Sequence, residues 1–175
     1  GGLNAALFSC SPVERIEEIW RNLVPDYLQN EYELISQSGL LWIMEQVSFY
    51  DLMKENAYPK VYVTCTRARF LGTKLVTKYL FDIDYSHRFL LNIESDENEI
   101  RRKLLATSAF PILTSTVRLS DGYTYVDGGV SDNIPIASVT ENQLIENIKQ
   151  IFIVYLTTSP NRKKKKEYKN YNVYE

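Results

Sequence analysis

The sequence is poor in the residue types that metal sites, disulfide frameworks and histidine-dependent catalysis require. It contains two cysteines and one histidine among 175 residues. Cys10 and Cys65 form no metal-ligand spacing, and we interpret them as free thiols of a protein in a reducing compartment. No run of roughly 18 apolar residues occurs, so no membrane-spanning helix is predicted. These absences favour a cytoplasmic protein.

Charge is distributed unevenly along the chain. The net charge is −2, but residues 162–175 carry +4, which leaves −6 on the rest. An acidic body repels a phosphate backbone, so we exclude nucleic acid as a partner. The run of Lys163, Lys164, Lys165 and Lys166 is interpreted as a solvated segment, with contact to anionic lipid head groups as the alternative. We therefore predict one domain over residues 1–160 and a basic polar tail or truncated loop over 161–175.

Helical and strand patterns are mixed throughout the sequence. The cap sequence Ser11-Pro12-Val13-Glu14 predicts a helix that ends near Pro25. Further helices are predicted at 40–56, at 96–111 and from Thr140. Strands are predicted at 60–66, 73–81, 88–93, 116–119, 123–126 and 151–156. Asp121-Gly122 predicts a hairpin turn between the fourth and fifth strands, and His87 falls in a polar turn.

The strand predicted at 151–156 is apolar on both faces. Such a strand is typical of a largely parallel sheet that helices cover on each side. The apolar content of 45% is high enough for a folded core. We therefore predict an α/β protein with a largely parallel, mixed sheet flanked by helices.

The stretch of most chemical interest is 125–130, with the sequence Tyr-Val-Asp-Gly-Gly-Val. It places Asp127 where an apolar strand ends, and Gly128 and Gly129 then allow a neighbouring segment or a substrate to approach closely. The local sequence alone fits equally an aspartate that bonds its own backbone in a turn. Asp132, five residues further on, is a weaker candidate for the same role.

Three segments together resemble patatin-like phospholipases. They are Gly1-Gly2-Leu3-Asn4-Ala5, then Lys103 to Pro111 with its Ala-Thr-Ser-Ala-Phe-Pro ending, and the Asp127-Gly128-Gly129 stretch followed by Asn133-Ile134-Pro135. The resemblance extends over most of residues 1–156. It implies a three-layer α/β fold, here incomplete at the N-terminus, and no metal or cofactor.

The resemblance also implies a Ser-Asp catalytic dyad in which Asp127 is the general base. Gly1 and Gly2 match the glycine end of the family's nucleophile elbow, whose serine would lie two positions before Gly1. The chain is then a fragment that lacks the serine and the oxyanion loop, and we expect it to be inactive alone. No histidine follows Asp127, so the sequence argues against a Ser-His-Asp triad.

The function implied for the parent protein is lipid acyl hydrolysis. Its substrate would be a phospholipid or another acyl ester, with peripheral contact to a membrane as a further expectation. The cluster Leu40-Leu41-Trp42-Ile43 is interpreted as part of a core helix, with an acyl pocket or a lipid contact as the alternative. The rival hypothesis is a non-catalytic patatin-like protein that binds a lipid or a partner.

Overall fold

The computed structural model describes residues 1–28, 36–54, 59–71, 74–75, 83–111, 113–135, 150–154 and 172–174. The chain divides into two compact units, Gly1–Asn133 and Ile134–Glu175. The domain boundary that the sequence predicts near residue 160 stays a prediction. The helix predicted from Thr140 lies outside the described residues.

The first unit is built on a four-stranded sheet. Its strands, in chain order, are β1 (Tyr62–Arg67), β4 (Ser86–Leu90), β5 (Val117–Arg118) and β6 (Thr124–Asp127), and two short strands, β2 (Phe70–Leu71) and β3 (Lys74–Leu75), form a separate pair. The spatial order is β4-β1-β6-β5. Strand β1 lies in the middle of the sheet, where Cys65 pairs with His87 on one side and with Asp127 on the other.

Every pairing in the four-stranded sheet is antiparallel, so the prediction of a largely parallel sheet is wrong for this sheet. The prediction relied on the apolar run at 151–156, which is not part of this sheet. In this sheet, consecutive burial occurs in β1, where Val63, Thr64, Cys65 and Thr66 are all buried. That burial comes from the central position of β1, with a helix on one face and the segment after β6 on the other, and it carries no information about strand direction.

The second unit contains β7 (Gln150–Phe152) and β8 (Asn172–Tyr174), which pair in parallel. The sequence predicts a strand here that is buried on both faces. The prediction of burial is wrong, because the side chain of Phe152 is 70% exposed.

Five α-helices are described: α1 (Gly2–Cys10), α2 (Val13–Glu18), α3 (Val24–Leu28), α4 (Gln37–Glu45) and α5 (Glu97–Thr107). Ser36 caps α4 by accepting a hydrogen bond from the Gly39 N–H, and Asp96 caps α5 through the Asn98 N–H. The helix predicted at 40–56 is shorter than expected, since a separate 3-10 turn occupies Tyr50–Met53. Other 3-10 turns are Ile83–Tyr85, Leu91–Ile93 and Gly128–Val130.

Pro25 does not end the second helical stretch, contrary to prediction. A π-helical segment, Ile19–Leu23, joins α2 to α3, and the N–H of Val24 donates to the carbonyl of Ile19. Proline cannot continue an α-helical ladder because it has no N–H. Here it is the second residue of a new helical segment, where that N–H is not needed.

The main core lies between the sheet and the helices. Its side chains come from every helix but α3, and the largest fully buried ones include Leu7, Ile43, Phe49, Ile100 and Leu104. One face of α4 and of the residues after it lies in the core, where Leu40, Ile43, Met44, Val47 and Phe49 are all buried. The hairpin turn is confirmed, because Gly122 has φ of 82°.

Truncation of a core isoleucine should cost far more stability than truncation of an exposed one. Ile100 on α5 is 0% exposed and Ile93 is 75% exposed. We expect Ile100→Ala to lower the free energy of unfolding by about 2–5 kcal/mol, because it leaves a cavity. Ile93→Ala should change it by less than about 0.5 kcal/mol. Urea unfolding measures both, and equal losses would contradict the placement of α5.

Candidate active site

Asp127 is the last residue of β6 and the first residue before the 3-10 turn Gly128–Val130. Its carboxyl Oδ1 accepts a hydrogen bond from the Gly129 N–H at 2.7 Å. Its own N–H donates to the carbonyl of Ala109 at 2.9 Å. The carboxyl group therefore does bond its own backbone, as a turn aspartate would, and this bond also fixes its orientation at the end of the strand.

The environment of Asp127 makes its carboxyl group a stronger base than an ordinary aspartate. Partial burial raises the pKa of Asp127 above its usual value, because removal of water disfavours the charged form. The hydrogen bond from Gly129 acts against this rise. A charge at position 1 would act on the carboxyl group, so the start of α1 lies within electrostatic range of Asp127.

Two glycines allow these segments to pack directly on β1. A Cβ atom at Gly128 would lie 2.0 Å from the carbonyl oxygen of Thr64, and a Cβ atom at Gly2 would lie 2.9 Å from Cγ1 of Val63 and 2.8 Å from Cγ2 of Thr107. Neither position has room for a side chain. Thr107 lies against Gly2, and its hydroxyl bonds the Thr64 carbonyl on which Gly128 packs, so the start of α1 and the Asp127 turn lie close together.

A hydroxyl group reinforces this packing. Thr107, the last residue of α5, donates its hydroxyl to the carbonyl of Thr64 at 2.7 Å. The same carbonyl lies under Gly128, so α5, β1 and the Asp127 turn meet at one backbone group. Thr107 is part of the segment 103–111 that the resemblance singled out, but its contact with Thr64 had no signal in the sequence.

The start of α1 supplies the other half of the site. Helix α1 begins at Gly2 with Gly1 in the N-cap position and no side-chain cap, and its first turn holds no acidic residue. The first N–H groups of a helix have no partner within the helix, and the helix dipole adds a partial positive charge. The arrangement therefore places the Asp127 carboxyl group near backbone N–H groups that can stabilise a negative charge.

His87 does not complete a triad with Asp127. It lies within β4, where the sequence had placed a polar turn, and its ring packs edge-on against Tyr125 with 5.6 Å between centroids. His87 and Asp127 pair with the same residue, Cys65, from opposite sides of β1. Two strand spacings, about 10 Å, therefore separate them. Burial and the charge of Arg67 lower the pKa of His87, although the charge of Asp121 acts to raise it.

The contacts of Asp132, Cys65 and the Leu40–Ile43 cluster are those of residues that support the fold. Asp132 is buried, and its backbone N–H donates to the carbonyl of Gly128, so it helps to close the turn after Asp127. Cys65 is buried in the sheet, and burial is the main cause that raises its pKa to about 12. Leu40 and Ile43 lie in the core, as predicted, whereas Trp42 is 36% exposed and stacks on Tyr27.

Within the described part of the chain, no three histidine, cysteine or acidic residues lie close enough together to hold a metal ion. None of the described helices has both the length and the apolar character that crossing a membrane demands.

The comparison with protein families decides the assignment. The family model for patatin-like phospholipase matches residues 1–140, which include both the start of α1 and the Asp127 turn. The chain belongs to the patatin-like phospholipase family. No curated protein and no solved structure matches it. Family membership makes this patatin-like protein a relative of lipid acyl hydrolases.

The two site glycines of the turn should respond differently to alanine. We expect Gly128→Ala to lower the free energy of unfolding by about 1–3 kcal/mol, because its methyl group would overlap a backbone carbonyl. Gly129→Ala should cost less, since its methyl group would meet only the side-chain oxygens of Asp127 and Asn133, at 3.1 and 3.2 Å. Chemical denaturation distinguishes the two, and a larger loss for Gly129→Ala would contradict the packing on Thr64.

Asp127→Asn should stabilise the fold at neutral pH. A carboxyl group with a raised pKa favours the folded state below its ordinary pKa and loses this contribution as pH rises through the raised value. Asparagine still accepts from the Gly129 N–H but carries no charge. We therefore expect a higher Tm for Asp127→Asn at pH 7.5, and no difference near pH 3, where the carboxyl group is protonated in both states. A lower Tm at pH 7.5 would show that the charge stabilises the protein.

Proposed function

We propose that this patatin-like protein is the base-bearing part of a serine acyl-ester hydrolase that acts on phospholipids or related acyl esters. The observation that carries the proposal is the half-buried Asp127 carboxyl group, with its raised pKa, beside the start of α1. Family membership supports the substrate class. Localisation in the cytoplasm and peripheral contact with a membrane stay predictions.

In the proposed mechanism, Asp127 accepts a proton from a serine hydroxyl, and the serine oxygen attacks the acyl carbon. We expect that serine two residues before Gly1, where the family's nucleophile motif would have it. The N–H groups at the start of α1 hydrogen-bond the oxyanion that forms. The protonated Asp127 then gives its proton to the leaving alcohol. Water, deprotonated by Asp127, releases the fatty acid in the second half of the cycle.

The difference in basicity between aspartate and histidine shows how much stabilisation the rest of the site must provide. An ordinary aspartate is a weaker base than an ordinary histidine by about 2.6 pKa units, or roughly 3.5 kcal/mol. Partial burial of Asp127 recovers a share of this difference. Each oxyanion donor contributes roughly 3–4 kcal/mol in known hydrolases. The oxyanion donors therefore have to provide much of the remaining stabilisation.

The rival is a patatin-like protein that binds a lipid or a partner without catalysis. The two hypotheses differ in one residue, the one encoded two codons before Gly1. Serine there supports the hydrolase, and any residue without a nucleophilic side chain supports the rival.

The activity test uses the protein expressed with the residues that precede Gly1. We expect Asp127→Asn to lower kcat/KM on a short-chain acyl ester by about 100-fold or more, because it removes the general base. The matched control is Asp26→Asn, which changes an exposed aspartate on α3 and should leave kcat/KM unchanged. Equal hydrolysis by the wild type and Asp127→Asn would remove Asp127 from the mechanism.

A further inference from the structure

A pair of hydroxyl groups, on the buried Thr66 and the half-buried Ser131, connects β1 to both ends of the Asp127 turn. The Oγ1 atom of Thr66 lies 2.8 Å from the backbone carbonyl of Asp127 and 2.8 Å from Oγ of Ser131. Thr66 is in β1 and is 0% exposed. We refer to the hydroxyl groups of Thr66 and Ser131 together with the backbone carbonyl of Asp127 as the hydroxyl relay.

The direction of the hydrogen bonds in the relay is fixed by chemistry. A carbonyl oxygen only accepts, so the single hydroxyl proton of Thr66 is donated to Asp127. The bond between Thr66 and Ser131 must then use the proton of Ser131. Ser131 therefore donates to Thr66, and Thr66 donates to Asp127, which ties residues 127 and 131 to the same point of β1.

The relay completes a set of restraints on Asp127. Its N–H is held by Ala109, its carbonyl by Thr66 and its carboxyl Oδ1 by the Gly129 N–H. In the described part of the chain, no hydrogen bond to Oδ2 is formed, so that atom remains open to a proton from a nucleophile. Restraint of the backbone at both sides of Cα fixes the point from which the carboxyl group projects.

We propose that Thr66 and Ser131 are positioning residues that hold the Asp127 carboxyl group in reach of the nucleophile. The inference rests on the proposed function and deepens it. A strand needs no hydroxyl at a buried position, and valine has the same shape and a higher preference for strands. The structural alternative is that Thr66 only fills its site and satisfies its own polar atom.

The test compares Thr66→Val, Thr66→Ser and Ser131→Ala in the protein that includes the residues before Gly1. Thr66→Val keeps the shape and removes the hydroxyl, whereas Thr66→Ser keeps the hydroxyl. We expect Thr66→Val to lower kcat about tenfold with KM unchanged, because a carboxyl group displaced by a fraction of an ångström transfers protons less well. Ser131→Ala should have a smaller effect in the same direction, and Thr66→Ser should retain most of the activity.

A pH titration gives a second readout that a role in packing alone would not change. Among the described groups, the Cys65 thiol on β1 interacts electrostatically with Asp127, and it is neutral over the working range. In the protein that includes the residues before Gly1, position 1 has a peptide N–H and carries no charge. Loss of the relay should let water reach the carboxyl group, and its pKa should fall towards the ordinary value. We expect Thr66→Val to shift the acid limb of kcat/KM, and the carboxyl-carbon NMR titration of Asp127, to lower pH.

The outcomes separate the inference from the function on which it rests. Unchanged kcat and an unchanged Asp127 titration in Thr66→Val would overturn the positioning role, and so would equal damage by Thr66→Val and Thr66→Ser. Full activity in Asp127→Asn would overturn the proposed function instead. The NMR titration needs no turnover, so it still decides whether Thr66 holds the carboxyl group.

Discussion

The close approach of two segments to the backbone of β1 is the constraint on which the site depends. Gly2 lies against Val63, and Gly128 lies against the carbonyl of Thr64, the next residue. The distances leave no room for a Cβ atom at either glycine. Strand β1 is held between β4 on one side and β6 on the other. The geometry of the site therefore depends on a central strand of the sheet.

The Thr64 carbonyl has a particular role in this arrangement. It accepts the hydroxyl of Thr107 and lies under Gly128, so it links the end of α5 to the turn that presents Asp127. Asp127 is itself bonded through its N–H to Ala109, just after α5. Helix α5 and β6 thus hold the carboxyl group jointly, which explains why the segment 103–111 and the Asp127 turn occur together in the family pattern.

Parts of this structure could be predicted from short stretches of sequence. The turn at Asp121-Gly122 depends on one glycine, and the buried face of α4 depends on residues a few positions apart. Strand direction could not be predicted in this way, since burial of successive residues in β1 reflects its central place and not its orientation.

The contacts that shape the site could not be predicted from the sequence, because they join residues that are far apart along the chain. Thr66 and Asp127 are separated by 61 residues, and Thr66 and Ser131 by 65. Nothing in the local pattern of β1 distinguishes Thr66 from Thr64, and only the register of β1 against β6 assigns them different partners. Asp127 itself could be singled out from the sequence because its motif is contiguous. The groups that hold it come from other elements.

The surroundings of Asp127 affect the stability of the fold and the basicity of the carboxyl group in opposite ways. Partial burial raises the basicity of the carboxyl group, and the same burial makes its charged form less favourable in the folded protein. The Gly129 N–H stabilises the carboxylate, which reduces this cost and also reduces the basicity. In the proposed mechanism, the remaining stabilisation comes from groups that act after the proton has moved. The N–H groups at the start of α1 would contribute to it, because they would interact more strongly with the oxyanion than with the neutral ester.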